Sequence, residues 1–195
     1  MFEQIPPVIE KIVNVASVKQ LSPFRYPGGK TWLVPTVLTW LKSQPKKPRE
    51  FIEVFAGGGI IGLTVAFESL ADHVTMIELD PDVAAVWHTI LSNDWEWLAK
   101  QILEFELNIL NAQKTLEKQP KGTKELAFQT ILRNRINHGG ILAPGSGFLK
   151  NGENGKGIAS RWYPETLAKR IRLIGIFRDR ISFIEGDGLI HARYI

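Results

Sequence analysis

The stretch Phe51-Ile52-Glu53-Val54-Phe55-Ala56-Gly57-Gly58-Gly59-Ile60-Ile61-Gly62 decides the fold. Its first five residues, apolar but for Glu53, make a short run of the kind a buried parallel strand requires, and three glycines follow after Ala56. A helix over about Gly59–Leu70 follows. Val74-Thr75-Met76-Ile77-Glu78 reads as a second strand, and Pro81 with Asp82 opens another helix. Strand, helix, strand, helix predicts an α/β sheet with right-handed crossovers. A strand feeding a tight glycine turn lets a ligand approach the backbone and face helix-terminal amides. Gly57, Gly59 and Gly62 match the spacing G-x-G-x-x-G, and Glu78 ends the next strand, where an acid can accept from ribose hydroxyls. On this geometry NAD, FAD and S-adenosylmethionine are all admissible, beside a purely structural turn.

Outward from that core, Pro7–Gln20 predicts a short helix packed on the body. Ser22-Pro23-Phe24-Arg25-Tyr26-Pro27-Gly28-Gly29-Lys30 is rich in turn formers and leads into an apolar helix at about Thr31–Leu41. Beyond Asp94 the apolar residues Trp95, Leu98, Ile102, Phe105, Ile109, Ala112 and Leu116 alternate steps of three and four. They predict one long helix laid on its own core, with a coiled-coil seam as the alternative. Lys121–Arg135 reads as another helix, and Asn137–Gly157, rich in Gly and Asn without a period, as a long loop. Pro164–Phe177 is amphipathic, with Leu167, Ile171 and Ile174 inward. Ile181–Glu185 is a third strand ending at Gly186-Asp187-Gly188.

The chain has 195 residues and no cysteine, which excludes a disulfide scaffold, cysteine-ligated metal and a thiol nucleophile. No apolar run is long enough to span a bilayer, and Met1–Gln20 carries Glu3, Glu10 and two prolines where a secretory leader needs a basic start and an apolar core. The expectation is a soluble, cytoplasmic protein. His73, His88, His138 and His191 have no metal-ligand spacing, so no metal is expected. The net charge of +4 is uneven: residues 121–180 hold twelve Lys and Arg against four Asp and Glu. Such density suits a polyanion partner or, equally, a solvated helix surface.

Several of these segments together resemble the Dam-like, alpha-group adenine-specific DNA methyltransferases. The family's upstream element, Phe-x-Lys/Arg-Trp/Tyr-x-Gly-Gly-Lys, is similar to Phe24-Arg25-Tyr26-Pro27-Gly28-Gly29-Lys30. Its glycine strand, Phe-x-Glu-Pro-Phe-x-Gly-Gly/Ser-Gly, is matched with Val54 in place of the usual Pro. Glu78 stands where an Asp is common, Asn134-Arg135-Ile136-Asn137-His138-Gly139-Gly140 is similar to an Asn-Arg-x-x-Asn-Gly element, and Gly186-Asp187 resembles the acid after the third strand. The resemblance implies a partial Rossmann-like S-adenosylmethionine-dependent fold in which residues 1–92 and 179–195 bind the methyl donor. Residues 93–178 would form a helical DNA-recognition insertion. By the same resemblance Tyr26, Lys30, Glu53, Gly57, Gly59, Glu78 and Asp187 would hold the donor. Arg25, Arg133, Asn134, Arg135, Asn137, Lys150 and Arg161 would contact double-stranded DNA, and Trp162 or Tyr163 would stack on a base or fill a core.

One family element is missing. The Asp-Pro-Pro-Tyr that receives the target adenine does not occur, and the single Pro-Pro, Pro6-Pro7, is flanked by Ile5 and Val8. No catalytic residue of that kind is therefore present. The expectation is a truncated or split enzyme, inactive alone, with a possible C-terminal companion polypeptide. The rivals are a non-catalytic remnant that binds donor and DNA, an NAD-binding Rossmann protein and a structural interaction protein. A nucleotide-hydrolysing phosphate loop is rejected, because Phe24 stands where Gly29-Lys30-Thr31 would need an upstream Gly.

Overall fold

The computed structural model describes residues 17–25, 29–143, 145–152 and 155–192. Three parallel strands form the sheet: β1 (Glu50–Glu53), β2 (His73–Glu78) and β3 (Ile181–Glu185), in the order β1-β2-β3. Phe51 pairs with Val74 and Glu53 with Met76, while Val74 pairs with Ile181 and Glu78 with Glu185. Strand β2 is central, and Val74, Met76 and Ile77 are wholly buried, as the apolar run requires. Strand β1 is shorter than its apolar run. Val54 and Phe55 already belong to the turn, although the Ala56 amide still donates to the Ile77 carbonyl at 2.8 Å.

Eight α-helices surround the sheet among the described residues: α1 (Val34–Ser43), α2 (Ile60–Phe67), α3 (Pro81–Leu91), α4 (Trp95–Glu104), α5 (Ile109–Glu117), α6 (Thr123–Ile136), α7 (Pro164–Phe177) and α8 (Gly188–Ala192). A 3-10 turn, Lys30–Leu33, leads into α1. Helix α2 is apolar all round and buried from Ile60 to Ala66, packed between α1 and the β1–β2 pair. Helix α3 starts where Asp80 accepts from the Asp82 amide at 2.9 Å, with Pro81 in the first turn. It packs against β3 on one side and α6 on another.

The long helix expected from Trp95 to Leu116 is two helices. After Glu104 the backbone turns extended at Phe105, whose ring meets Phe128 at 5.3 Å and Trp162 at 5.9 Å between centroids. Helix α5 restarts behind its own cap, with the Asn108 side chain accepting from the Asn111 amide at 2.8 Å. The three-four spacing survives the break, but Ile109 is left 58% exposed. Helices α4 and α7 approach closely because Gly175 has no side chain: a Cβ there would lie 2.6 Å from the Trp95 ring. Leu167, Ile171 and Ile174 point inward as the sequence predicts, and they share one continuous core with Leu98, Ile102, Val83 and Met76. A smaller cluster of Ala112, Leu132, Ile136 and Ile158 lies beyond it. Residues up to 16 of the opening segment lie outside the described residues.

Among the described residues no helix is long and apolar enough to cross a membrane, and no cluster of acid and histidine side chains is arranged to hold a metal ion.

Candidate functional site

The site grows from the turn after β1. Gly57 (φ +51°) and Gly59 (φ +64°) adopt left-handed backbone that side chains disfavour. A Cβ on Gly59 would also sit 2.8 Å from the ring of Trp87, which is wholly buried. Four side chains pin the turn. Glu78 accepts from the Gly57 amide at 2.7 Å, and the Trp87 indole donates to the Gly57 carbonyl at 2.9 Å. Glu53 accepts from the Gly62 amide at 2.8 Å, and the Lys30 ammonium donates to the Phe55 carbonyl while pairing with the Glu53 carboxylate. Burial pushes the Glu53 carboxyl above its ordinary range, and Lys30 opposes that shift.

The Glu78 carboxylate also accepts from the Leu79 and Asp80 amides at 2.9 and 3.1 Å. With three backbone donors on about four lone-pair positions, it keeps one position to offer a ligand.

A cavity of about 760 Å³ opens at the carboxyl ends of β1 and β2, within the range of small-molecule sites. Its lining includes Gly29, Lys30, Phe55, Ala56, Gly57, Gly58, Ile60 and Glu78 from around the glycine turn, and Ser22, Arg25, Arg135, Tyr163, Thr166 and Arg170 from other elements. This is the place where open parallel sheets bind ligands.

The residues expected to hold a donor are thus only partly brought together. Lys30, Gly57 and Glu78 line the cavity, whereas Glu53 and Gly59 lie behind the turn and shape it. Asp187 is outside the cavity lining, and its carboxylate accepts from the Leu189 amide at 2.8 Å, at the start of α8. Tyr26 lies outside the described residues.

The residues expected to meet DNA separate further. Arg25 and Arg135 line the main cavity. Lys150 and Arg161 line a second hollow with His138 and Phe148. Arg133 is paired with Asp82 at 2.8 Å. Asn134 is buried. Its carbonyl oxygen accepts from the Arg25 amide at 2.8 Å, and its amide nitrogen donates to the Arg25 and Gly140 carbonyls, both at 2.9 Å. Asn137 is also buried and donates to the Ile141 carbonyl at 2.9 Å. These two asparagines fasten the ends of α6 and of the segment before Lys30. Asn134 has no polar atom left over, while the Asn137 carbonyl oxygen has no hydrogen-bond partner among the described residues.

Arg135 is 4% exposed and donates to the Pro23 carbonyl. Its pKa is lowered to about 9, first by burial and then by the charges of Arg170 and Arg25. Of the two aromatics before α7, Trp162 is half-buried and packs on Phe105, while Tyr163 is 48% exposed on the cavity wall.

Two residues of this site were not singled out from the sequence. Trp87 floors the glycine turn and packs against Phe24 with the rings tilted by 52° and 6.0 Å between centroids, yet in the sequence it is one more apolar residue of an amphipathic helix. Arg170 had signalled only as part of a basic run, and its position beside Ser22, whose carbonyl accepts from it at 2.9 Å, depends on tertiary packing.

Comparison with known proteins agrees with the turn and the strands around it. No curated protein matches the chain. Residues 26–127, from the segment before α1 through the glycine turn and into α6, match the family model described as D12 class N6 adenine-specific DNA methyltransferase. That match covers more than half of the chain, and the chain belongs to this family of DNA adenine methyltransferases.

Proposed function

We propose that the chain is the donor-binding and DNA-binding part of an S-adenosylmethionine-dependent enzyme that methylates the exocyclic amine of adenine in double-stranded DNA. One observation carries the reading: the pinned glycine turn and a group of arginines line a single cavity. A small cofactor and a polyanion would therefore meet in one place.

The residues fit the donor. Gly57 and Gly58 leave the cavity wall bare of side chains, Glu78 keeps one acceptor position for a ribose hydroxyl, and Lys30 supplies a cation beside the Phe55 carbonyl. When bound, the donor supplies a sulfonium methyl group. Lys30, Gly57 and Glu78 would orient it, while Glu53, Gly59 and Trp87 would hold the turn in shape. Phe55 and Ile60 would exclude water from the apolar part of the wall. The roles carried by resemblance to Tyr26 and Asp187 stay part of the proposal, with Asp187 acting from outside the cavity.

On this reading the sheet is a partial Rossmann-like layer, residues 1–92 and 179–195 serve the donor, and residues 93–178 serve DNA. The base pocket is the part not found in these 195 residues, since Asp-Pro-Pro-Tyr is absent. Transfer requires the amine and the methyl carbon to meet at about 3–3.5 Å, with the base held out of the duplex. The chain by itself is expected to turn over negligibly. A companion segment carrying the tetrapeptide would restore methylation, docking along β1, one of the two outer strands of the described sheet. That same absence favours a second reading, a remnant that binds donor and DNA without catalysis.

The test is calorimetric titration with S-adenosylhomocysteine and, in parallel, NAD. Heat with the first alone supports the reading, and no heat with S-adenosylhomocysteine on folded protein overturns it. Methylation assays with and without the companion segment then separate the split enzyme from the remnant.

A further inference from the structure

The main cavity collects positive charge beside the glycine turn. Arg25, Arg135 and Arg170 line it, and Glu78 is the one acid among the described lining residues, already engaged by three backbone amides. Arg135 is more than nine-tenths buried. One of its terminal nitrogens donates to the Pro23 carbonyl, and its Nε has no hydrogen-bond partner. Arg170 is anchored in the same way by the neighbouring carbonyl of Ser22. Two guanidinium groups are thus held by consecutive carbonyls of one segment, with further N–H donors left over. Tyr163 and Thr166 add hydroxyls on the same wall.

A buried cation is costly unless something pairs with it, and a buried N–H without a partner adds to that cost. A second observation agrees: burial together with Arg170 and Arg25 lowers the Arg135 pKa, so the groups repel one another across the cavity. An oxyanion entering there would relieve both.

We propose that Arg135 and Arg170, with Arg25 at the rim, form a seat inside the cavity for one phosphodiester group of the DNA strand. The inference rests on the methyltransferase reading and adds to it the position at which the backbone is held. Guanidinium forks match phosphate oxygens in geometry as well as charge. The seat is recessed, because a side chain 4% exposed is out of reach of a phosphate on the outer surface of an intact duplex. It selects a backbone drawn inward with an extruded nucleotide. Arg135 and Arg170 therefore favour the extruded strand over the stacked one, while Lys150 and Arg161, in the other hollow, bind the duplex outside.

The experiment uses the full chain and a short fluorescent duplex whose central adenine faces an abasic site. Binding is followed by anisotropy. The linkages flanking that adenine are either natural or neutral methylphosphonates. In the unaltered protein the neutral linkages are expected to weaken binding about tenfold, the loss of one charge-assisted contact. In Arg170→Gln the same change is expected to cost less than about twofold, whereas Arg172→Gln, on the same helix but paired with Glu96, keeps the full tenfold. Arg135→Lys, which retains charge without an Nε, is expected to follow Arg170→Gln, and the Arg170 result stands if that variant does not fold.

A full penalty in Arg170→Gln, or none in the unaltered protein, overturns the proposal. So does a loss of S-adenosylhomocysteine affinity in Arg170→Gln with unchanged DNA binding, which would assign the seat to the donor's carboxylate. Failure of the unaltered chain to bind S-adenosylhomocysteine at all would strike the methyltransferase reading instead, leaving the linkage result to be judged separately.

Discussion

Gly59→Ala tests whether the turn is held by its floor. Two costs arise. The residue sits at φ +64°, where a Cβ adds about 1–2 kcal/mol of backbone strain. That Cβ would also lie 2.8 and 2.9 Å from two ring carbons of Trp87 and 3.1 Å from the Met76 sulfur. Trp87 cannot withdraw, being wholly buried with its indole nitrogen bonded to the Gly57 carbonyl, and overpacking of this kind costs about 1–3 kcal/mol. Together they amount to about 2–5 kcal/mol, a large part of the stability of an ordinary domain. Urea unfolding followed by circular dichroism reads the loss. Gly122→Ala serves as the comparison, since its backbone is extended and nothing lies within 4 Å of the added methyl; it should change stability by less than about 0.5 kcal/mol. In the double variant Gly59→Ala, Trp87→Leu the clash is relieved and the strain remains, so the two losses should add to less than their sum by about 1 kcal/mol or more. Gly59→Ala as stable as the parent, or strict additivity with Trp87→Leu, would refute the packing described for the turn.

Two further outcomes follow from the same contacts. Asn134→Ala removes three hydrogen bonds of a buried side chain, among them the acceptor of the Arg25 amide; about 2–4 kcal/mol should be lost in urea unfolding, with faster trypsin cleavage after Arg25. Glu53 has a pKa raised by burial, so the folded protein binds its proton more readily than the unfolded chain. Its contribution to stability is greatest at pH below the ordinary value of 4.5 and declines as pH rises from there through the raised value. Urea unfolding across that window should show the decline in the parent and a flatter profile in Glu53→Gln.

How much could be read in advance depends on the range of the force concerned. The strand over Ile181–Glu185 and the helix over Pro164–Phe177 were legible to the residue, because apolar periodicity and a first-turn proline act within a few positions. The glycine turn was legible for the same reason: left-handed backbone is a local demand, and glycine meets it. The break at Phe105 was not, since the residues that draw its ring away from the helix, Phe128 and Trp162, are distant in sequence while the three-four spacing runs on unbroken.

The division is sharpest in Asn134-Arg135. Their resemblance to the family's Asn-Arg-x-x-Asn-Gly element implies contacts with DNA. Folding carries Arg25 and Pro23 more than a hundred positions along the chain to meet them, and it buries both side chains. Asn134 then has every polar atom engaged and becomes a fastening, while Arg135 keeps an unpaired Nε at a cavity wall. Local sequence determined the α/β order, the turn and the acid that faces it. Only tertiary structure decided which polar side chains end up satisfied by the fold and which are left with capacity for a ligand, because that balance depends on backbone groups no spacing rule brings together.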